Sequence, residues 1–114
     1  MSTNIHFIAE REIIVKRTGK VDVQTQNLHV WQTRTPDTYK IINSADPKLA
    51  YIEWVLTEFD RDEQEPVYAE DDVFGERDPV GFTTFNAGKQ HVAEFLQTIE
   101  QLEAEGWKIH AEAW

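Results

Sequence analysis

The chain of 114 residues contains no cysteine and two serines, Ser2 and Ser44. Without cysteine there is no disulfide, no thiolate metal site and no cysteine nucleophile. Neither serine lies in the glycine-flanked elbow that exposes a catalytic hydroxyl, so we expect no Ser–His–Asp triad. No apolar run approaches the length that spans a bilayer, and the N-terminal residues alternate apolar with polar side chains, unlike a signal peptide. We therefore expect a cytoplasmic protein.

Positive charge is scarce: 11 Lys and Arg stand against 21 Asp and Glu, which gives a net charge of −10. The imbalance is concentrated after residue 50, because residues 1–50 carry seven basic and five acidic side chains, whereas residues 51–114 carry four and sixteen. The stretch 58–78 alone holds ten carboxylates and two arginines. Such a field repels phosphates and anionic membranes and attracts basic surfaces. We predict no direct binding of nucleic acid and no binding to membranes.

The length and the 40% content of apolar residues predict a single domain, residues 1–114, with one hydrophobic core. Alternating and β-branched residues over 5–16 and 21–33 indicate two strands, and the turn sequence "RTGK" joins them as a hairpin. The apolar parity changes between Val23 and Leu28, which predicts a bulge near residues 26–27. Residues 107–113 also alternate, so we expect a C-terminal strand in the same sheet.

Three segments, about 35–43, 47–59 and 87–105, have helical start signals or helical spacing. The second begins at Asp46–Pro47, and the third is capped by Asn86. The predicted apolar stripes are Leu49, Ile52, Val55 and Phe59 on the second helix, and Val92, Phe95, Leu96, Ile99 and Leu102 on the third. The prediction is an α+β fold: a small antiparallel sheet of the N-terminal hairpin and C-terminal strand, with two main helices on one face.

Candidate catalytic and ligand-binding motifs are poorly matched. Gly88–Lys89 opens a helix, but six residues separate Gly81 from Gly88 and Gln90 follows the lysine, which does not fit a phosphate-binding loop. The histidines at 6, 29, 91 and 110 form no i, i+4 pair, and we expect surface positions for them. We predict that the protein is not an enzyme and has no cofactor.

The acidic segment includes "YAEDDVFGERDPVG" and has no sustained periodicity, so we expect a loop over about 60–79. In a calcium-loop alignment Phe74 and Gly81 would occupy ligand positions, which contradicts that motif. An alternative is a small metal-assisted hydrolase that uses the carboxylates of Asp71 and Asp72, although no lysine lies between Lys48 and Lys89.

Aromatic residues within the acidic segment favour protein recognition, because interface anchors are typically aromatic and surrounding charges steer the encounter. A solvated loop tied to the core by the same aromatics is the other interpretation. The predicted partner-binding residues are Glu63, Glu65, Tyr68, Glu70, Asp71, Asp72, Phe74, Glu76 and Asp78. Their partner would be a basic protein surface, such as the nucleic-acid-binding groove of an enzyme, and the effect would be inhibition.

The runs "EFDRDEQE" and "AEDDVFGERD", in a small chain without cysteine, resemble the acidic anti-defence proteins of phages and other mobile elements. Anti-CRISPR and DNA-mimic antirestriction proteins are examples. The resemblance is one of composition and covers mainly residues 58–78. It implies a nucleic-acid mimic that binds and blocks a host enzyme.

Self-association is a further hypothesis. Arg11, Lys16, Arg17 and Lys20 cluster about the first hairpin, whereas the acids cluster after residue 58. These charges face each other within one molecule or support a homodimer, and strand pairing along the hairpin edge is another route to a dimer.

Overall fold

The computed structural model describes residues 3–68 and 78–114. In chain order the elements are β1 (Ile5–Ile14), β2 (Val21–Asn27), α1 (Thr35–Ile42), α2 (Pro47–Glu58), β3 (Glu63–Val67), β4 (Gly81–Phe85), α3 (Ala87–Ala104) and β5 (Lys108–Ala113). The predicted α+β class is confirmed. None of the helices within these ranges is sufficiently long and apolar to cross a membrane.

The main sheet has three antiparallel strands in the order β2-β1-β5, as predicted for the N-terminal hairpin and the C-terminal strand. The predicted bulge near residues 26–27 is wrong. The β1–β2 register runs unbroken from Ile14↔Val21 to Ile8↔Asn27, and the Leu28 N–H continues it by donating to the Phe7 carbonyl at 2.9 Å. The parity changes because the two apolar sets lie on opposite faces: Leu28 enters the core, whereas Val23 is exposed.

The core lies between the sheet and the helices α2 and α3. Phe7 of β1 contacts Tyr51 of α2 and Phe95 of α3, with ring centroids 5.4 and 5.2 Å apart. The predicted stripe of α3 is buried at Val92, Phe95, Ile99 and Leu102, but Leu96 is 41% exposed. Because each helical residue advances by about 100°, Leu96 lies past the edge of the stripe, and His91 is buried instead.

The starts of α2 and α3 are capped as the sequence predicts. The Asp46 carboxylate accepts hydrogen bonds from the backbone N–H groups of Lys48 and Leu49, and the Asn86 side chain accepts one from Lys89 N–H. These caps satisfy donors that have no partner within the helix.

The expected acidic loop is wrong over residues 63–67, which form β3. This strand pairs antiparallel with β4 in a separate two-stranded sheet, hereafter the acidic ribbon (Glu63–Val67 and Gly81–Phe85). The sequence "EQEPV" lacks alternation and contains a proline, so the pairing with β4 decides its conformation. Residues 69–77 lie outside the described residues.

The acidic ribbon projects from the body of the protein. Its two strands contact each other extensively, and neither contacts another helix or strand of the described ranges to a comparable degree. The radius of gyration is 20.0 Å, compared with about 13 Å for a compact domain of this length.

Candidate interaction surface

Four of the predicted partner-binding residues lie in or beside the acidic ribbon. Glu63 and Glu65 belong to β3, Tyr68 follows this strand, and Asp78 precedes β4; all four are exposed. The other predicted residues lie outside the described residues: Glu70, Asp71, Asp72, Phe74 and Glu76. The carboxylate pair of the hydrolase hypothesis belongs to this second group.

The pairing of β3 with β4 gives the ribbon two different faces. Glu63 stands opposite Phe85 and Glu65 opposite Thr83, so both carboxylates lie on one face, the acidic face. Pro66 stands opposite Phe82 on the other face. Phe82 is 61% exposed, which is a large apolar surface in contact with solvent. The ribbon therefore presents both carboxylates together with Phe85 on one face, and Phe82 on the other.

The carboxylates of the acidic face are not neutralised within the part of the chain that the structure describes. Glu63, Glu65 and Asp78 form no ion pair there, and the same is true of the basic residues Lys16 and Lys20 at the tip of the first hairpin. The structure thus shows no ion pair among these side chains that would support the prediction that the acidic and basic clusters face each other within one molecule. Among the described residues, Glu63, Glu65, Asp78, Lys16 and Lys20 are therefore exposed charges without an ion-pair partner.

The ribbon is held at its base by a cluster of polar contacts around Asn86. The Asn86 side-chain amide donates to Asp60 Oδ1 at 2.7 Å and to Asp62 Oδ1 at 3.1 Å, while its oxygen caps α3. Lys89 Nζ lies 3.7 Å from Asp60 Oδ1. One residue thus joins the start of the ribbon to the first turn of α3.

Gly88 brings the same turn of α3 against the end of α2. A Cβ atom at this position would lie 2.6 Å from the carbonyl oxygen of Phe59, a backbone atom that cannot swing aside. The Gly88–Lys89 pair therefore serves close packing and ribbon attachment in this structure.

A buried polar cluster that sequence reasoning missed lies inside the body. Tyr51 is fully buried, and its hydroxyl oxygen accepts a hydrogen bond from the backbone N–H of Trp31 at 2.8 Å. The same oxygen lies 2.7 Å from His91 Nε2, and the imidazole of His91 stacks on the Trp31 ring with centroids 4.2 Å apart. Burial was detectable for His91 from its spacing, because it lies four residues before Phe95 on the same helical face.

Burial controls the protonation of this cluster. It lowers the pKa of His91 below the ordinary 6.5, helped by the nearby His29 and opposed by Glu94. Burial also raises the pKa of Tyr51 to about 12, against a smaller effect of the Trp31 hydrogen bond. In the neutral His91 tautomer that carries its proton on Nδ1, the Tyr51 O–H donates to Nε2. All three groups are then satisfied, as a structural hydrogen-bond chain requires.

A shallow pocket of about 110 Å³ reaches His91 and is lined by Leu28, His29, Glu94, Phe95 and Thr98. This volume is small compared with that of typical ligand sites, about 300–1,000 Å³. Across residues 3–68 and 78–114, no group of three or more His, Asp or Glu side chains is arranged to hold a metal ion. The surface position predicted for His91 is wrong, because its side chain is buried between α3 and the core.

Comparison with known proteins finds no matching family model, no matching curated protein and no matching solved structure. The functional argument therefore depends on the chemistry of the chain itself.

Proposed function

We propose that this protein binds a basic protein surface through the acidic face of the ribbon and inhibits a nucleic-acid-handling enzyme. The observation that carries this proposal is the pair Glu63 and Glu65, exposed and without ion pairs in the described structure, on one face of a ribbon that projects from the body. Exposed carboxylates without an ion-pair partner are not neutralised by a neighbouring side chain, and they attract cationic grooves.

The shape of the ribbon supports the same proposal. A two-stranded ribbon is narrow enough to enter the major groove of DNA, so it is narrower than the DNA duplex itself. An enzyme groove that accepts a duplex therefore also has room for the ribbon. Lys and Arg residues that line such grooves would meet Glu63, Glu65 and Asp78 in place of phosphates. Occupation of the groove excludes the nucleic acid, and the enzyme is thereby blocked.

The resemblance to phage anti-defence proteins concerns composition, and it makes a defence nuclease the first class of enzyme to test. Charge provides steering and residence time comes from aromatic anchors. Phe85, which stands opposite Glu63 on the acidic face, and Tyr68, which follows β3, are exposed aromatics of the described segment.

The test is an affinity capture from cell lysate with two variants of equal net charge. The first is Glu63→Lys/Glu65→Lys/Asp78→Lys, which reverses the acidic face and its neighbour. The control is Glu53→Lys/Glu100→Lys/Glu105→Lys, which changes two exposed helical residues and the exposed residue that follows α3. We expect the wild type and the control to retain the same basic proteins at low salt, and the ribbon variant to lose them.

The captured protein is then tested for DNA binding by fluorescence anisotropy with a labelled duplex. We expect the wild type to displace the duplex and the ribbon variant to require on the order of tenfold or more higher concentration, mainly because its association is slower. Equal capture by both variants, or a captured protein whose DNA is not displaced, would contradict the proposal.

A further inference from the structure

The ribbon has one blocked edge and one open edge. Pro66 has no N–H, so the pair Pro66↔Phe82 is a non-hydrogen-bonded pair, and the peptide groups of both residues point away from the ribbon centre. The β3 edge therefore lacks a donor at Pro66. On β4, Phe82 and Thr84 both direct an N–H and a C=O outward. An edge with an unbroken row of peptide groups is able to pair with another strand.

The main sheet also has an open edge, on β2. Leu28 N–H donates to Phe7 and Val15 N–H donates to Lys20, which fixes the even-numbered residues of β2 as those bonded to β1. The odd-numbered residues, Val21, Val23 and Thr25, consequently point their peptide groups away from β1. The Asp22 side chain accepts the N–H of Val23, which leaves the N–H groups of Val21 and Thr25 as donors.

The residues whose peptide groups point outward on these two edges also decide which side chains would meet. In an antiparallel pair, residues that exchange hydrogen bonds lie directly opposite each other with their side chains on the same face. Phe82 would therefore lie beside the side chains of Val21 and Val23. These two residues and Ile14 form an exposed apolar patch on the sheet face opposite the helices, with exposed fractions of 61%, 54% and 72%.

The charges match in the same arrangement. In the combined sheet, Phe82 would lie on the same face as Val21. The acidic face of the ribbon would then lie on the opposite face, which also carries the side chains of the even-numbered β2 residues. Lys20 precedes β2 with that parity, is exposed, and has no ion pair within residues 3–68 and 78–114. Glu63 and Glu65 would approach this basic end of the hairpin while they remain in contact with solvent.

We propose that β4 of one copy pairs antiparallel with β2 of a second copy, and that the second copy returns the same contact. The result is a two-fold dimer in which each ribbon extends the partner's sheet. An isolated two-stranded ribbon is marginally stable in water, whereas added strands and a covered Phe82 stabilise it. This inference goes beyond the proposed function, because the strand pairing itself depends on the open edge and on Phe82, and Glu63 and Glu65 contribute only their approach to Lys20.

The experiment is sedimentation equilibrium of the full chain with proline placed at outward-facing N–H groups. Thr84→Pro blocks the open β4 edge without removing a hydrogen bond of the ribbon, and Thr25→Pro blocks the β2 edge likewise. Gln64→Pro is the matched control, since it places the same substitution on the β3 edge that Pro66 already blocks. Circular dichroism during thermal unfolding checks that each variant folds.

We expect the wild type and Gln64→Pro to sediment at twice the chain mass of 13.3 kDa. Thr84→Pro and Thr25→Pro should each weaken dimerisation at least tenfold. An equimolar mixture of these two variants keeps one of the two contacts intact and should recover part of the dimer. A monomeric wild type at every concentration, an equal effect of Gln64→Pro, or no recovery from two folded variants would overturn the proposal. Every variant in this experiment keeps Glu63 and Glu65, so the proposed function is tested separately.

Discussion

At the scale of single residues, the hydrogen bonds of Tyr51 connect three parts of the fold. Its hydroxyl joins helix α2 to His91 of α3 and to the backbone of Trp31, which follows the first hairpin. A buried polar group with every partner in place fixes one arrangement of its neighbours, whereas a missing partner leaves a desolvated group behind.

The lowered pKa of His91 predicts a loss of stability in mild acid. Above pH 6.5 the imidazole is neutral in both the folded and unfolded states. As the pH falls below 6.5, the unfolded chain takes up the proton first, so the free energy of unfolding decreases until the lowered pKa of the folded state is passed. Urea unfolding from about pH 7.5 to about pH 5 measures this decrease.

His91→Gln should flatten that dependence, because the amide accepts the Tyr51 hydrogen bond without titrating. His110→Gln, which changes a partly exposed histidine paired with Glu112, is the control and should leave the decrease in place. An unchanged slope in His91→Gln would show that other groups cause the acid sensitivity.

Gly88 gives a second prediction at this scale. Gly88→Ala forces a Cβ atom against the Phe59 carbonyl, and we expect a loss of about 1–3 kcal/mol in the free energy of unfolding. Gly81→Ala is the matched substitution, because a Cβ atom there would have no neighbour within 4 Å. Chemical denaturation compares the two, and equal losses would contradict the close approach of α3 to α2.

At the scale of elements, two adjacent residues of α3 allow the effect of burial to be distinguished from that of helix propensity. Phe95 is 3% exposed and contacts Phe7 and Tyr51, whereas Leu96 is 41% exposed. We expect Phe95→Ala to cost about 3–5 kcal/mol in the free energy of unfolding. Leu96→Ala should cost less than about 1 kcal/mol, and the reverse order would mean that α3 is rotated about its axis.

The elements that the sequence predicts well are those with strong local signals. The caps at Asp46 and Asn86 locate the starts of α2 and α3, and alternation locates β1 and β5. The buried face of α2 was harder to predict, because it passes through Tyr51 and Val55, whereas Leu49 is exposed. A tyrosine enters the core when its hydroxyl finds a partner, and that partner, His91, lies 40 residues away.

The acidic ribbon shows that strands, too, are hard to predict when their conformation depends on a partner distant in the chain. Nothing in "EQEPV" itself favours a strand, and all five residues of β3 are exposed, so no apolar alternation exists to be detected. The conformation depends on β4, which is more than a dozen residues away in the chain. Glu63 and Glu65 were identified as candidates from charge alone, but their common face became visible only with the register.

At the scale of the whole molecule, the charge asymmetry of the sequence becomes a separation in space. The molecule measures 64 × 39 × 28 Å, and the ribbon extends from a body that holds the aromatic core. Net charge of one sign on a projecting element gives a directional field, while the same charge spread evenly would serve solubility. The position of this charge was not predictable from composition, because composition does not fix which segments leave the body.

The position of Asn86 between the ribbon and helix α3 has a thermodynamic consequence. Its amide holds Asp60 and Asp62 at the base of the ribbon, and its oxygen caps the helix that supplies Phe95 and Ile99 to the core. Any ligand that orders the ribbon also holds this cap in place, so binding energy and helix stability are linked through one side chain. A saturating partner would raise the melting temperature of the body, which it never touches, by mass action on the folded state.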